Sequence, residues 1–336
     1  MDFFSFSKTE LEEELLKAFL PKFRAKQMLD WVYKKGVTDL KSMTNLPLDL
    51  RQRTALGVSI LPLREKLIQQ STDGTKKALL QLNDGEFIES VYIPEGDRAT
   101  VCFSSQVGCA MGCSFCATGQ SGFVRNLDPG EIVGQLYYWQ YSKGFPITNA
   151  VAMGQGEPFL NWDNFQKAIG ILTDPDCFGI GARHLTVSTC GIAPKIRELA
   201  YLPWQINLSV SLHAPLDKLR SQIMPINRRY PLKELMEAIV EYIRVTNRRV
   251  TFEYTVIPEF NDGEENANLL IGLLDKMLCH VNIIPLNPLA GKSENLEAAE
   301  KFVKLLDKKL NVTLRRSRGA DIDAACGQLK QKQVYE

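Results

Sequence analysis

No apolar run in this 336-residue chain approaches the ~18 residues that a membrane-spanning helix needs, which excludes a membrane partner. The opening stretch, MDFFSFSKTELEEELL, lacks the basic segment followed by an apolar segment that marks a secretory leader. Nothing therefore directs the chain to an oxidising compartment, and the expectation is a cytoplasmic protein with reduced thiols, not a disulfide framework. Net charge is almost absent, with 40 Lys and Arg against 39 Asp and Glu, so charge alone argues for no polyanionic partner. Internal repeats and low-complexity segments are missing. Histidines are few, three in all, and no second Cys-x2-4-Cys or His pair accompanies the one dense group of cysteines.

That group is the feature that is present. Of eight cysteines, three fall in Cys109-Ala-Met-Gly-Cys113-Ser-Phe-Cys116. Thiolates at offsets of four and three can hold three irons of a 4Fe–4S cubane and leave the fourth without a protein ligand. Ordinary cluster proteins supply a fourth cysteine and only move electrons. An open iron can bind a small molecule, by analogy with catalytic metal sites that keep one position unfilled. Structural zinc is the bland alternative; it needs a fourth soft ligand, for which Cys102 is the nearest spare thiol.

The charges are unevenly spread. Lys22 to Arg53 holds eight basic and three acidic residues; Lys301 to Glu336 holds nine and four, including Arg315, Arg316 and Arg318. Basic ends around a near-neutral middle suit a nucleic-acid clamp, although solvated helix faces would give the same count.

The first 58 residues read as short helices: Glu10–Leu20 capped by Ser7 or Thr9, a second from Pro21 through Tyr33 ended by Gly36, and a third opened by Pro47. Residues 59–98 read as strands and turns punctuated by Asp73-Gly74, Asp84-Gly85 and Glu95-Gly96. From residue 99 to 330 a strand-then-helix alternation repeats six times. The pairs are Ala99–Phe103 with Pro129–Tyr141, Ile147–Met153 with Trp162–Leu172, and His184–Ser188 with Pro194–Leu202. Ile206–Leu212 with Pro231–Val245, Val250–Val256 with Glu264–Leu278, and His280–Ile284 with Leu296–Leu310 follow, then a last strand, Val312–Arg315. The strands read as nearly continuous apolar runs, the pattern of a parallel sheet buried on both faces. Six units are too few for a closed eight-unit barrel and suit an α/β fold with an open, partial one.

The candidate chemical residues share one edge of that scheme. The cysteine loop follows the first strand and Gly154-Gln155-Gly156-Glu157-Pro158 the second; Ser188, Ser211-Leu212-His213 and Asn287 end or follow later ones. All lie at C-terminal strand ends, where α/β barrels carry their active sites. Glu157 offers a carboxylate that can accept bonds from an ammonium group, although Gly-Glu-Pro alone reads by default as a surface turn. His213 alone reads first as a hydrogen-bonded structural residue. Cys177, Cys190 and Cys279 read as buried apolar thiols. Cys326, among Gly, Ala, Asp and Gln, suits an accessible nucleophile.

Cys-x3-Cys-x2-Cys is the signature of radical S-adenosylmethionine enzymes, which the chain resembles. Four longer segments, PKFRAKQMLDWVYKKGVTDLKSMTNLP, ESVYIPEGDRATVCFSSQVGCAMGCSFCATGQSGFVRNL, SLHAPLDKLRSQIMPINRRYP and RGADIDAACGQL, are similar to the RlmN/Cfr family of RNA methyltransferases. The resemblance runs from about residue 20 to 330. It implies a partial (β/α)6 barrel with a small N-terminal helical accessory domain at 1–58 that contacts RNA, a β extension at 59–98, and a barrel with a C-terminal catalytic loop at 99–330. It implies that Cys109, Cys113 and Cys116 hold the cluster. Gly156, Glu157, Ser188, Ser211, Leu212, His213 and Asn287 would contact S-adenosylmethionine. Cys326 would carry a methyl group, Cys102 would be its partner, and Glu89 would accept a proton. The implied substrate is carbon 2 of adenosine in 23S rRNA and in tRNA next to the anticodon, with carbon 8, as in Cfr, the nearest alternative. An electron donor such as flavodoxin and a disulfide reductant are the implied partners. A non-methylating iron–sulfur RNA-binding protein would need neither Cys326 nor Cys102. The chain departs from the family pattern at Gln155, usually Met, and at Cys190, usually Ser.

Overall fold

The ten strands of the main sheet lie side by side in the order in which they occur along the chain, and this adjacency builds the molecule. The computed structural model describes residues 3–52, 61–287, 296–307 and 309–329. A ten-stranded sheet begins with an antiparallel meander, β1 (Leu63–Gln70), β2 (Lys76–Leu82) and β3 (Phe87–Glu95). β3 pairs antiparallel with β4 (Arg98–Cys102), Val91 standing opposite Cys102. A short hairpin, β5 (Gln106–Gly108) and β6 (Phe123–Asn126), flanks the cysteine loop. From β4 onward the main sheet is parallel, through β7 (Asn149–Ala152), β8 (Leu185–Thr189), β9 (Asn207–Ser211), β10 (Val250–Val256), β11 (Cys279–Pro285) and β12 (Val312–Leu314). Among the described residues β1 and β12 stand at opposite ends of the sheet order, so the barrel is open.

Helices cover the outside. At the N-terminus are α1 (Lys8–Lys17), α2 (Phe23–Leu29) and α3 (Leu48–Gln52), and inside the cysteine loop is the short α4 (Ala117–Gln120). The crossover helices are α5 (Pro129–Tyr137), α6 (Trp162–Thr173), α7 (Ala193–Ala200), α8 (Asp217–Ile223), α9 (Leu232–Thr246), α10 (Glu264–Leu274) and α11 (Leu296–Leu306). Their starts follow the chemistry of capping. Ser7 Oγ accepts from Glu10 N at 3.3 Å while Ser7 N donates to the Glu10 carboxylate at 2.8 Å, a reciprocal box that selects Ser7 as the cap. Among the described residues no helix is long and apolar enough to cross a membrane.

The N-terminal helices share the core of the barrel. One cluster of buried side chains runs from Phe3 to Leu306, and the Phe4 ring lies 4.6 Å from that of Tyr137 on α5. Asp176 joins the two regions, accepting from Lys8 at 2.7 Å and Lys26 at 3.0 Å. The expected limits at 58/59 and at 330 lie outside the described residues.

Three features differ from the sequence reading. α8 and the β5–β6 hairpin were not anticipated, because each is too short to show a periodic pattern. The helices begun by Pro21 and Pro129 end in wider π-type turns, Asp30–Lys34 and Tyr138–Ser142. The parallel strands are also less apolar than expected. Ser188, Ser209, Ser211, Glu253, Thr255 and Asn282 lie on them, because the lumen of an open barrel is a cavity and not a packed core.

Candidate active site

A cavity of about 930 Å³ opens at the C-terminal ends of the parallel strands. Its wall gathers Cys109, Cys113, Cys116, Gly156, Glu157, Ser188, Ser211, His213, Asn287 and Cys326, residues spread over more than 200 positions of sequence. The cysteine loop is tied at both ends. Cys109 N donates to Gly122 O at 2.8 Å, and Gly108 takes φ +72 where any Cβ would collide with the Gly122 carbonyl. Cys116 precedes the first turn of α4. Burial pushes the Cys109 thiol up to about 12 and Cys113 higher, so both need a metal or a cation to be held as thiolates. Among the described residues no three His, Cys, Asp or Glu side chains are gathered tightly enough for a single metal ion. A polynuclear cluster does not need that tightness, because each thiolate binds a different iron.

Glu157 supplies the clearest fit to a cationic ligand. Its side chain is 3% exposed; one oxygen accepts from Phe159 N at 3.0 Å and the other from Cys190 N at 2.7 Å. Burial raises this carboxyl, against the two backbone bonds, and among the described residues no Lys or Arg pairs with it. A buried carboxylate facing a cavity without a counter-ion favours an ammonium group there. The glycines beside it serve the protein's own packing. A Cβ on Gly156 would sit 2.6 Å from Gln106, and one on Gly154 would sit 2.7 Å from Phe103. His213 is neutral, held down to about 3 by burial and then by Arg220. Its Nδ1 accepts from Thr255 N at 2.9 Å, which leaves the proton on Nε2. Leu212 is off the wall. Its side chain is in the core, its N–H donates to Glu253 O, and its carbonyl accepts from Arg220. Gln155 is also off the wall, its side-chain oxygen accepting from Glu89 N, whereas Cys190 is on it.

The loop carrying Cys326 folds over the cysteine loop. Ala117 N donates to Gly327 O at 2.7 Å and Thr118 Oγ1 to Leu329 O at 2.6 Å. Asn287 Nδ2 donates to Cys326 O at 3.1 Å, and Ser317 Oγ donates to Asn287 Oδ1 at 2.6 Å. Cys326 is exposed. Cys102 is buried beneath the same loop, packed with Val91, Ala324 and Leu329; burial, then the neighbouring Cys326, pushes its thiol up to about 12. Glu89 does not line the cavity. Its carboxylate pairs with Lys77 Nζ at 3.0 Å, both groups buried, and Lys77 Nζ also donates to Asp323 O at 3.1 Å in the Cys326 loop.

Sequence reasoning missed Arg315, Glu253, Lys77 and Arg220. Arg315 was counted with the basic C-terminal end that suits a nucleic-acid clamp. It instead turns into the cavity, 3.7 Å from the Glu253 carboxylate and from Met153 Sδ. Cys326, followed by Glu253 and Cys102, holds its guanidinium above the ordinary value against burial, so a fixed cation stands beside both lone thiols. The available signal was its position at the C-terminal end of the last strand.

The chain is similar to known proteins. Residues 103–270 match the radical SAM superfamily, and residues 1–60 match the ribosomal RNA large subunit methyltransferase N-terminal domain. A probable dual-specificity RNA methyltransferase RlmN of Dictyoglomus thermophilum is 48% identical over 335 residues, covering 97% of this chain and 95% of that one. Its counterpart from Thermoanaerobacter sp. is 45% identical over 333 residues and 97% of each chain. The crystal structure of a radical SAM methyltransferase from Sphaerobacter thermophilus matches with a TM-score of 0.94 at 44% identity, covering 98% of this chain and 99% of that one. The superfamily implies a 4Fe–4S cluster and S-adenosylmethionine, for which three thiols and an uncompensated buried carboxylate on one cavity wall are a fitting donor set. The chain belongs to the radical S-adenosylmethionine superfamily and, within it, to the RlmN family of RNA methyltransferases.

Proposed function

We propose that the chain methylates carbon 2 of adenosine in 23S rRNA, and in tRNA next to the anticodon, by way of a methyl group carried on Cys326. The observation that supports this most is the folding of the Cys326 loop onto the cysteine loop, with Cys102 packed directly below. Carbon 2 of adenine is electron-poor and will not attack a sulfonium methyl group in a polar step. Cys109, Cys113 and Cys116 would hold the cluster, and Glu157 would bind the ammonium group of the cofactor, with Ser188, Ser211, His213, Asn287 and the backbone of Gly156 and Leu212 around it. When bound, these groups supply a methyl group, an electron and a hydrogen-abstracting radical.

The remaining work falls to the chain. Cys326 Sγ, as thiolate, displaces a methyl group from the sulfonium and holds it as a thioether. After that methyl loses a hydrogen atom, its carbon bonds to carbon 2 and joins the RNA to Cys326. Glu89, paired with Lys77, would take up the carbon 2 proton, and the adduct's odd electron would return to the group held by the three loop cysteines. Cys102 Sγ, as thiolate, then attacks Cys326 Sγ, the sulfur–carbon bond breaks, the released carbon takes a proton from solvent to complete the methyl group, and a Cys102–Cys326 disulfide is left for an external reductant. A one-electron donor such as flavodoxin is the other partner required. Residues 1–58, 59–98 and 99–330 would act as RNA-contact, connecting and catalytic units.

The test uses two variants. Cys326→Ala keeps its cluster and transfers no methyl group. Cys102→Ala forms the RNA adduct and stalls, because no thiol remains to displace Cys326. A denaturing gel of Cys102→Ala protein then carries an RNA-bearing band that nuclease trims. Normal turnover by that variant would overturn the assignment of both thiols.

A further inference from the structure

Arg220, on α8, is 0% exposed, and among the described residues no carboxylate lies within ion-pairing reach of it. Its donors go to neutral oxygens only. Nε reaches Leu212 O at 3.1 Å, Nη1 reaches Asn227 Oδ1 at 2.9 Å, and Nη2 reaches Cys190 O at 2.6 Å and Ser211 O at 3.0 Å. Asp217, the acid on the same helix, spends its carboxylate on Asn227 Nδ2 at 2.9 Å and Leu232 N at 2.8 Å. A dry guanidinium with no directly bonded anion is costly, and a negative charge nearby offsets that cost.

The geometry shows where that charge belongs. The end of α8 is joined to the cysteine loop, Ser114 N donating to Ile223 O at 3.0 Å, and Gly112 lies against Pro225. A Cβ on Gly191 would stand 3.2 Å from Arg220 Nη2, so the guanidinium backs directly on the wall formed by Cys190. Burial holds Arg220 below its ordinary value, while the Cys190 and Cys113 thiols and then the more distant Asp217 pull it up. Glu157 grips the N–H of Cys190 and Arg220 grips its carbonyl, so the backbone of one residue joins the two buried groups.

We propose that Arg220 is the fixed counter-charge of the iron–sulfur cluster, a positioning residue that raises the cluster's reduction potential and steadies the carbonyls of Cys190, Ser211 and Leu212. This rests on the reading that the three thiols hold a 4Fe–4S cluster. Reduction adds an electron to an anionic cluster, so a nearby cation favours the reduced state, and losing it lowers the potential.

The test needs no RNA and no turnover. The full chain, Arg220→Gln and Arg220→Lys are reconstituted anaerobically, iron is counted, and the cluster is titrated with a reductant under electron paramagnetic resonance. Arg220→Gln lowers the equilibrium constant for reduction about tenfold, equivalent to about 59 mV for one electron. Arg220→Lys, which keeps the charge and loses the four-bond fork, stays near the parent potential. An unchanged potential in Arg220→Gln overturns the proposal. So does an equal fall in both variants, or failure of both to fold or to hold iron, because Arg220 is then a structural tie and not a counter-charge. A parent chain that binds no cluster would instead sink the reading on which the proposal rests.

Discussion

Glu157 and the three loop cysteines show how single residues set this site. Glu157, Cys109 and Cys113 are costly to bury as charged groups, and that cost is removed by a ligand of opposite sign. Changing Cys109, Cys113 and Cys116 together to Ala is therefore expected to abolish iron binding and the brown chromophore of the reconstituted protein, measured by iron analysis and visible absorption. Retention of a full cluster would contradict the assignment. Glu157→Gln, which removes the charge and can keep only one of the two backbone bonds, is expected to retain the cluster and weaken S-adenosylmethionine binding by roughly tenfold or more, read by calorimetry. The cysteines were legible because their spacing is itself the chemical requirement. Lys77 and Arg315 were not, because one lies on a meander strand and the other in a run of cations, and only the folded chain turns them towards Glu89 and Glu253.

At the scale of elements, the antiparallel meander holds the Cys326 loop. Asp73, in the β1–β2 turn, accepts from Gly319 N at 3.0 Å and Thr75 N at 2.9 Å, and Asp321 accepts from Thr72 N at 3.1 Å. Burial opposes the Asp73 charge, but the bonds from Thr75, Gly319 and Ser71 outweigh it and hold the carboxyl at about 2, below its usual 3.8. A lowered carboxyl stabilises the fold above its unfolded value and loses that contribution as pH falls towards 2. Asp73→Ala is thus expected to melt a few degrees below the parent at pH 7, a loss of ~1–3 kcal/mol. The gap should close between about pH 4 and pH 2, as scanning calorimetry would show. A gap that stayed constant would mean that the loop is held by other contacts. The strand–helix alternation was readable from periodicity in all six units, since long elements repeat their pattern. The meander's part in anchoring residues 319–329 was not, because it rests on single hydrogen bonds between segments about 250 positions apart.

For the whole molecule, the substrate is an RNA far larger than the cavity, so much of the binding must come from phosphate contacts outside it. Lys22, Lys35 and Lys41 are exposed on the N-terminal helical region, whereas Lys26 and Lys34 are drawn into ion pairs with Asp176 and Asp30. Reversing Lys22, Lys35 and Lys41 to Glu is expected to weaken RNA binding and reduce its log–log salt slope by about 2. An unchanged slope would make these residues ordinary solvated cations. The central claim is tested most directly by what happens to the base. Reconstituted protein, a low-potential reductant and S-adenosylmethionine are incubated anaerobically with 23S rRNA or tRNA lacking the modification, and the digested nucleosides are read by mass spectrometry. The account predicts 2-methyladenosine, formed only with the cluster present; 8-methyladenosine, or no methylated adenosine, would contradict it.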